Sequence, residues 1–367
     1  MAEKNKMHPQ GESLFFRRLP QEMRDHIWTQ LFCSTRFTFG LWEGPDSRDC
    51  KHIKPTPSGL AMLRTCRRAQ LEIGDLWLRH VLFCFQDTKS MMDRLSVLPV
   101  DTLSKLRHLR VSDNALLELG DPDDGRYYLL TSYFKLLPGL QLDQLTVLGA
   151  RLFSLSYDTL DDLIKDGNGW KTLRYISHSS KMLGYASGYG PYGPGLGGNP
   201  QYCRKSQPKH WQGVLEDRDG VASGPSATIY RAKEPAQYGS ILDPNKRVIF
   251  EQKPHCGQDL QPNEFHEDPE LMSGDEKKKE LMVVVKRGTG VKYEERDSPL
   301  IEWDLRRDFP NMTWEEIFNH YLQEPGYPPY AEKEERKKKA FNLPIQEDFY
   351  KDVDEYVWSG YHLDERY

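Results

Sequence analysis

The sequence has no hydrophobic run long enough to cross a bilayer. A membrane helix needs about 20 consecutive apolar residues, and the longest aliphatic run here is Leu281 to Val285. Residues 1–10 (MAEKNKMHPQ) lack the apolar core of a secretory signal, so none is expected. Cysteine is scarce and dispersed: Cys33, Cys50, Cys66, Cys84, Cys203 and Cys256, none in a C-x-x-C pair. In a reducing compartment such residues stay thiols, and most are buried or incidental. The fragments Cys50-Lys-His52 and His255-Cys256 have no partner pair at zinc spacing, so neither a metal nor a cofactor is expected. Charge of one sign is also missing. The 367 residues carry 50 Lys+Arg and 55 Asp+Glu, a net charge of −5. Residues 1–183 are mildly basic and the remainder is acidic, an asymmetry too small to argue for nucleic acid or a membrane as partner.

Catalytic signatures are likewise missing. Gly188-Tyr-Gly190-Pro-Tyr-Gly193 matches G-x-G-x-x-G in letters, but it lies in a Gly/Pro/Tyr run whose prolines block the helix such a fingerprint must open. Asp121-Pro-Asp123-Asp-Gly125 resembles a calcium loop only faintly. Ser132 stands where the bidentate Glu belongs, so a turn is expected. There is no serine elbow, paired-histidine metal motif or P-loop. Asn311-Met-Thr313 is a glycosylation sequon with no secretory context. The basic runs Lys277–Lys279 and Arg336–Lys339 are bordered by acids and read as solvated faces rather than import signals.

What is present is a core. The 15 Phe, 19 Tyr and 8 Trp exclude full disorder, while a mean hydropathy of −0.72 says that part of the chain lies outside any core. The stretch from Leu19 to Phe32 predicts a helix, with Pro20 in its first turn, Glu22 at the positive end of its dipole, and Met23, Ile27 and Leu31 at i, i+4, i+8. Phe37-Thr-Phe39 and Leu41 read as a strand. A second helix is expected over Leu60–Ile73, capped by Ser58 and broken by Gly74. Val81–Phe85 reads as a buried strand.

From there helices and strands alternate. Helices are expected after Thr88, over Tyr127–Leu137, and around Tyr157–Ile164. Strands are expected at Leu106–Val111, Leu142–Leu148 and Leu173–Ile176. The first two share Leu-x-x-Leu-x-Val (Leu106, Leu109, Val111; Leu142, Leu145, Val147), and Leu173 with Ile176 gives a weaker third copy. The steps between first leucines are 36 and 31 residues. Such alternation predicts parallel strands with helices on one side, either as a short leucine-rich-repeat-like stack or as an ordinary α/β sheet. Beyond residue 200 the elements thin out: strands at Arg247–Phe250 and Leu281–Lys286, and a helix opened by the capping box Thr313-Trp-Glu-Glu316. Phe349, Tyr350, Tyr356, Trp358 and Tyr361 are too aromatic for a free tail and are expected to pack back on the body.

The first two helices resemble an F-box. The resemblance rests on Leu19-Pro20-x-Glu22, Ile27 and Leu31, then Leu63, Cys66-Arg67 and Leu76-Trp77. With LLRTCR and LRHLRV, the pattern looks like a group of fungal F-box-like proteins of unknown function, over residues 14–115 and more loosely to 180. The resemblance implies a helical module that docks on the Skp adaptor of a cullin–RING ubiquitin ligase, and a downstream body that presents a protein substrate. Its docking positions would be Leu19, Pro20, Ile27 and Leu31, supported by Leu63 and Trp77, with Arg17, Arg18 and Arg24 as a basic rim. Two departures stand out: a strand and a Pro-rich loop separate Leu31 from Leu63, and Met23-Arg24 replaces aliphatics.

The resulting expectation is an α/β chain, α+β overall. It comprises a disordered tail (1–12), an F-box-like helical module (13–80), a β-α body with a parallel sheet (81–183), a Gly/Pro-rich flexible region (184–240) and an irregular C-terminal region packed on the body (241–367). The expected role is a non-enzymatic protein-interaction protein inside the cell, in cytoplasm or nucleus. The alternatives are a binding protein with no ligase link, and an enzyme whose cleft would lie between the two halves.

Overall fold

The computed structural model describes residues 12–33, 35–39, 41–43, 50–52, 61, 63, 66–118, 127–149, 153–184, 208–235, 241, 247–253, 271, 274–296 and 298–323. The chain opens with two helices, Leu14–Arg18 (α1) and Gln21–Cys33 (α2), followed by strand Arg36–Phe39 (β1) and a small antiparallel pair, Leu41–Glu43 (β2) and Cys50–His52 (β3). Helices Arg67–Ile73 (α3) and Leu76–His80 (α4) lead into strand Leu82–Phe85 (β4). Next come Thr88–Leu95 (α5), Val100–Leu103 (α6), His108–Ser112 (β5), Leu116–Glu118 (β6), Tyr127–Tyr128 (β7) and Leu130–Phe134 (α7). Strand Leu142–Leu148 (β8), helix Phe153–Asp166 (α8) and strand Trp170–Ser177 (β9) complete the alternating part. The C-terminal half supplies Lys181–Gly184 (α9), Lys209–Asp219 (α10), Ser226–Ala232 (β10), Phe250–Lys253 (β11), Leu281–Lys286 (β12), Leu305–Asp308 (α11), Trp314–Tyr321 (α12) and Leu322–Gln323 (β13). Among the described residues no helix is long and apolar enough to cross a membrane.

One mixed sheet of eight strands organises the molecule, in the order β1-β4-β5-β8-β9-β12-β10-β11. The first five strands are parallel and stand in the sheet in the order in which they occur in the chain. Each connection therefore steps one place in the same direction. With right-handed crossovers, every connecting helix falls on one face. The core follows from this. Met91, Met92, Leu95, Leu103, Leu130, Tyr133, Phe134, Leu160, Leu163, Ile164, Trp211 and Leu215 from the helices share one apolar cluster with alternate strand residues. The in-facing strand pairs are Phe37/Phe39, Phe83/Phe85, Leu109/Val111, Leu145/Val147 and Leu173/Tyr175.

The repeat is real, but its third copy is set differently from the sequence expectation. Leu142 lies opposite Trp170, Leu145 opposite Leu173 and Val147 opposite Tyr175, so that copy reads Trp-x-x-Leu-x-Tyr from Trp170 rather than starting at Leu173. Ile176 points to the other face and joins a second cluster with Leu148, Tyr230, Met282 and Val284.

Other local expectations shift for identifiable reasons. The second helix does not run unbroken to Ile73: Cys66 is extended (φ −158°, ψ 159°), and its Sγ accepts from the Ala69 N–H to cap α3. Ser58 lies outside the described residues. Asp87, not Thr88, caps α5 through the Ser90 N–H, while the Thr88 hydroxyl donates to the Asn114 carbonyl at 2.8 Å. Tyr127 and Tyr128 begin no helix: they pair with Leu117 and Leu116 as strand β7. Residues 247–249 form a 3₁₀ turn before β11. Within the stretch expected to be flexible, α10 is ordered because Trp211 and Leu215, four apart, bury one helical face in the main core. The Thr313–Glu316 capping box is formed as the sequence predicts. The glycine-rich run, Asp121–Gly125 and the aromatic C-terminal residues lie outside the described residues.

The C-terminal half enters the same sheet. Strand β12 pairs antiparallel with β9 (Val283 opposite Tyr175), and β10 and β11 extend the sheet beyond it. The chain after β12 is tied down by a buried ion pair. Lys135 Nζ lies 2.8 Å from Glu295 Oε1, each side chain 1 % exposed. Ser298 Oγ also donates to Oε1, and the N–H groups of Asn168 and Gly169 donate to Oε2. Lys135 spends a second proton on the Asp166 carbonyl. All of these groups are satisfied, which is the condition for a buried pair to be tolerated. Replacing Glu295 with Ala strands the Lys135 ammonium and two backbone donors. We expect a loss of about 3–5 kcal/mol in urea unfolding, against much less for the double replacement Lys135→Met with Glu295→Leu, which removes both charges.

Candidate docking surfaces

The N-terminal module is locked from behind by one guanidinium. Arg24 is 4 % exposed and forms a fork with Glu72 across the α2–α3 contact: Nε donates to Oε2 and Nη2 to Oε1, both at 2.8 Å. Its Nη1 donates to the Leu19 carbonyl, and Arg68 Nε reaches Glu72 Oε1 at 3.0 Å. Burial alone would raise the Glu72 pKa. The hydrogen bonds and charges of Arg24 and Arg68 outweigh it and hold the carboxyl below the usual range. Arg24 and Arg68 also lie over the Phe16 ring. The expected basic rim of Arg17, Arg18 and Arg24 is therefore corrected. Arg24 is a buried tie, because its partner 48 residues away takes it inward, and only Arg17 and Arg18 are exposed.

This tie sets which side of α2 faces water. Arg24, Trp28 and Phe32 recur every four residues on the buried side. Beside them runs an apolar row on the solvent side. Met23 is 52 % exposed, Ile27 is 38 % exposed, and Pro20 is exposed at the helix entrance. Leu19 is half-buried, and Leu31, also half-buried, leans on the main core. The two supporting positions point elsewhere. Leu63 packs on the core, and the Trp77 ring meets Phe37 and Phe83 at 6.2 and 6.1 Å between centroids. Met23 was not among the expected docking residues. Its place one turn before Ile27 was the available signal.

A second surface is the sheet face opposite the helices. The register places three transverse rows there. They are Leu82, His108, Gln144, Thr172, Lys286 and Ser226; then Cys84, Arg110, Thr146, Arg174, Val284 and Thr228; then Ser112, Leu148, Ile176, Met282 and Tyr230. Arg36 and Thr38 extend the first two rows on β1. These positions carry four permanent cations and no carboxylate. His108 adds no charge at neutral pH, because burial drives its pKa down to about 4.

The polar chemistry elsewhere is structural. Cys33 Sγ lies 3.6 Å from His80 Nδ1, but burial pushes the thiol pKa up, the reverse of an activated nucleophile. Arg287 forks Asp219 with bonds of 2.7 Å. Both Arg287 and Arg218 sit 5.8 Å from the Trp170 ring centre. No group of three or more His, Cys, Asp or Glu among the described residues could hold a metal ion.

Helix α8 carries Asp158, Asp161 and Asp162 on neighbouring turns. Asp161 accepts from Trp211 Nε1 at 2.8 Å, which seats α10. Burial, helped by the Asp161 charge, raises Asp158 to about 6. Burial, followed by Asp161, Asp158 and Asp166, raises Asp162 to about 7. A carboxyl whose folded pKa lies above its unfolded value of about 4 binds more protons when folded, so stability falls as pH rises between about 4 and 7. Asp162→Asn removes this penalty. We expect the variant to melt higher than the wild type at pH 8 and alongside it below pH 4. Equal melting temperatures at pH 8 would contradict the assignment.

No protein-family model, no curated protein and no solved structure matches this chain.

Proposed function

We propose that this chain is a non-enzymatic protein-interaction protein of the F-box-like type. Its N-terminal helices dock on a Skp-type adaptor of a cullin–RING ubiquitin ligase, and its α/β body holds a protein substrate close to the ligase. It would act in the cytoplasm or nucleus and would make or break no bond itself. The observation that carries this reading is the row Pro20, Met23 and Ile27, kept in water on one flank of α2 while the Arg24–Glu72 fork fixes the helix behind it. Fully burying an aliphatic side chain of this size contributes about 1.5–3 kcal/mol, so an apolar groove that covers Met23 and Ile27 gains a useful part of a binding free energy. A rigid helix presenting anchors at i and i+4 is the form in which helix-in-groove recognition works.

A second reading, a binding protein with no ligase link, is favoured by Leu63 and Trp77. Both positions belong to the F-box resemblance, yet they pack toward the main core and weld the module to the β1–β4 edge.

The full-length chain and a Met23→Asp/Ile27→Asp variant, presented to a purified Skp-type adaptor, separate the two. Both substitutions lie on exposed positions, so circular dichroism should be unchanged. Ligase-receptor docking requires wild-type binding and a loss of at least about 100-fold in the variant, the scale of removing two anchor residues. A folded wild type that does not bind the adaptor sinks docking and leaves the second reading.

A further inference from the structure

We infer that the sheet face opposite the helices is a docking surface for the chain's own acidic, aromatic C-terminal segment, residues 346–361. Three observations support this, and none depends on adaptor docking.

The first is charge. Arg36, Arg110, Arg174 and Lys286 stand on three transverse rows of side chains that include no Asp or Glu. Residues 346–361 carry Glu347, Asp348, Asp352, Asp354 and Glu355 against the single Lys351, a net charge of −4. An array of cations without carboxylates selects such a segment over the basic stretch Arg336–Lys339 that precedes it.

The second is burial. Arg110 is 7 % exposed, and Leu82, Cys84, Gln144 and Thr146 are buried beside it. Yet the apolar cluster around Leu82 and Cys84 contains no other described residue. The remaining apolar side chains on this face gather around β12, β10 and β11, with Leu148 and Ile176 at the border. None of the four cations is without a partner. Something outside the described residues therefore covers this half of the sheet. The apolar positions among the cations suit a segment that brings Phe349, Tyr350, Tyr356 and Trp358 along with its acids.

The third is connectivity, which separates this segment from the other acidic stretch, 254–270. That stretch leaves β11 at the sheet edge and returns at Leu271, whose side chain is buried in the helix-side core. Its two ends lead it toward the helices. Strand β13, by contrast, pairs with β6 just beyond the C-terminal end of β5. From Gln323, a further 24 residues reach Glu347, enough chain for roughly 80 Å. The parallel strands at about 4.8 Å spacing span far less.

The test uses the full-length chain. A zero-length carbodiimide joins a lysine amine to a carboxylate in direct contact with it. Peptide mapping should find Lys286 joined to an acid between Glu347 and Glu355. Hydrogen exchange should show residues 346–361 protected, with exchange at least about tenfold faster in the triple variant Asp352→Asn/Asp354→Asn/Glu355→Gln and in Arg174→Gln. The triple variant changes only the segment, so misfolding of the sheet cannot mimic the result. Lys286 joined instead to Glu264, Glu267, Asp268 or Glu270, or to no carboxylate, overturns the inference. Exchange over 346–361 that matches an unstructured peptide in the wild type, or that the triple variant leaves unchanged, overturns it as well.

Discussion

The carboxylate of Glu295 cannot be left unmatched in the interior, and much of the architecture is arranged around matching it. One oxygen takes Lys135 from the end of α7 and Ser298 from its own segment. The other takes two consecutive N–H groups from the turn between α8 and β9. The backbone of residue 295 adds reciprocal bonds with Gly139 and Leu140 ahead of β8. Three connections of the repeat body are thus pinned to one residue of the C-terminal half. Upstream, this holds the chain where β12 can seal the edge of β9. Downstream, it delivers α11 and α12 back to the helical layer, where Trp314 Nε1 donates to Asp93 and the Tyr128 hydroxyl to Asp308. A β-α stack would otherwise end in an open edge strand, which is an aggregation hazard. Here the antiparallel strands β12, β10 and β11 continue the ladder.

The two faces of the sheet obey different rules because only one receives helices. On the helix side the alternate positions are Phe, Leu, Val and Tyr, and their burial supplies the core. On the other side the same strands carry Arg, Thr, Gln and His until the sheet turns antiparallel, where Leu148, Ile176, Met282, Val284 and Tyr230 make it apolar again. A period of two serves both faces at once: Leu109 and Val111 point inward while His108 and Arg110 point away. Buried cations on a sheet are costly unless matched, so the position of Arg110 is as much a constraint on what covers the sheet as Leu109 is on what lies beneath it.

Sequence reading reached the parts that depend on local pattern. The in-facing pairs Leu109/Val111 and Leu145/Val147 announced parallel strands under one helical layer. The Thr313–Glu316 box and the breaks at Gly74 and Gly167 were visible for the same reason. Misreadings arose where a tertiary partner decides. The third repeat was placed three residues late because Trp170 and Tyr175 occupy positions where the first two copies have Leu and Val. Strand β10 was missed because its inward side reads Ala227, Ile229, Arg231, and Arg231 is accommodated only by Ser180 and Glu276. Arg24 looked like a surface cation because nothing within its own helix foretells Glu72.

That last case bears on the docking face. An arginine at the centre of the α2 face would normally advertise a polar helix. Paired with Glu72, it behaves as a large, rigid spacer that fixes α2 against α3 through directional bonds rather than through interchangeable aliphatic contacts. Apolar packing alone would let the helix roll to bury Ile27 and Met23, since that lowers their exposure. The fork resists the roll, because turning α2 would pull Arg24 Nε and Nη2 away from the Glu72 oxygens and strand a charge at a nearly dry site. Exposure of the apolar row is thus maintained by the geometry of an ion pair. The same residues that stabilise the module keep its binding flank in water.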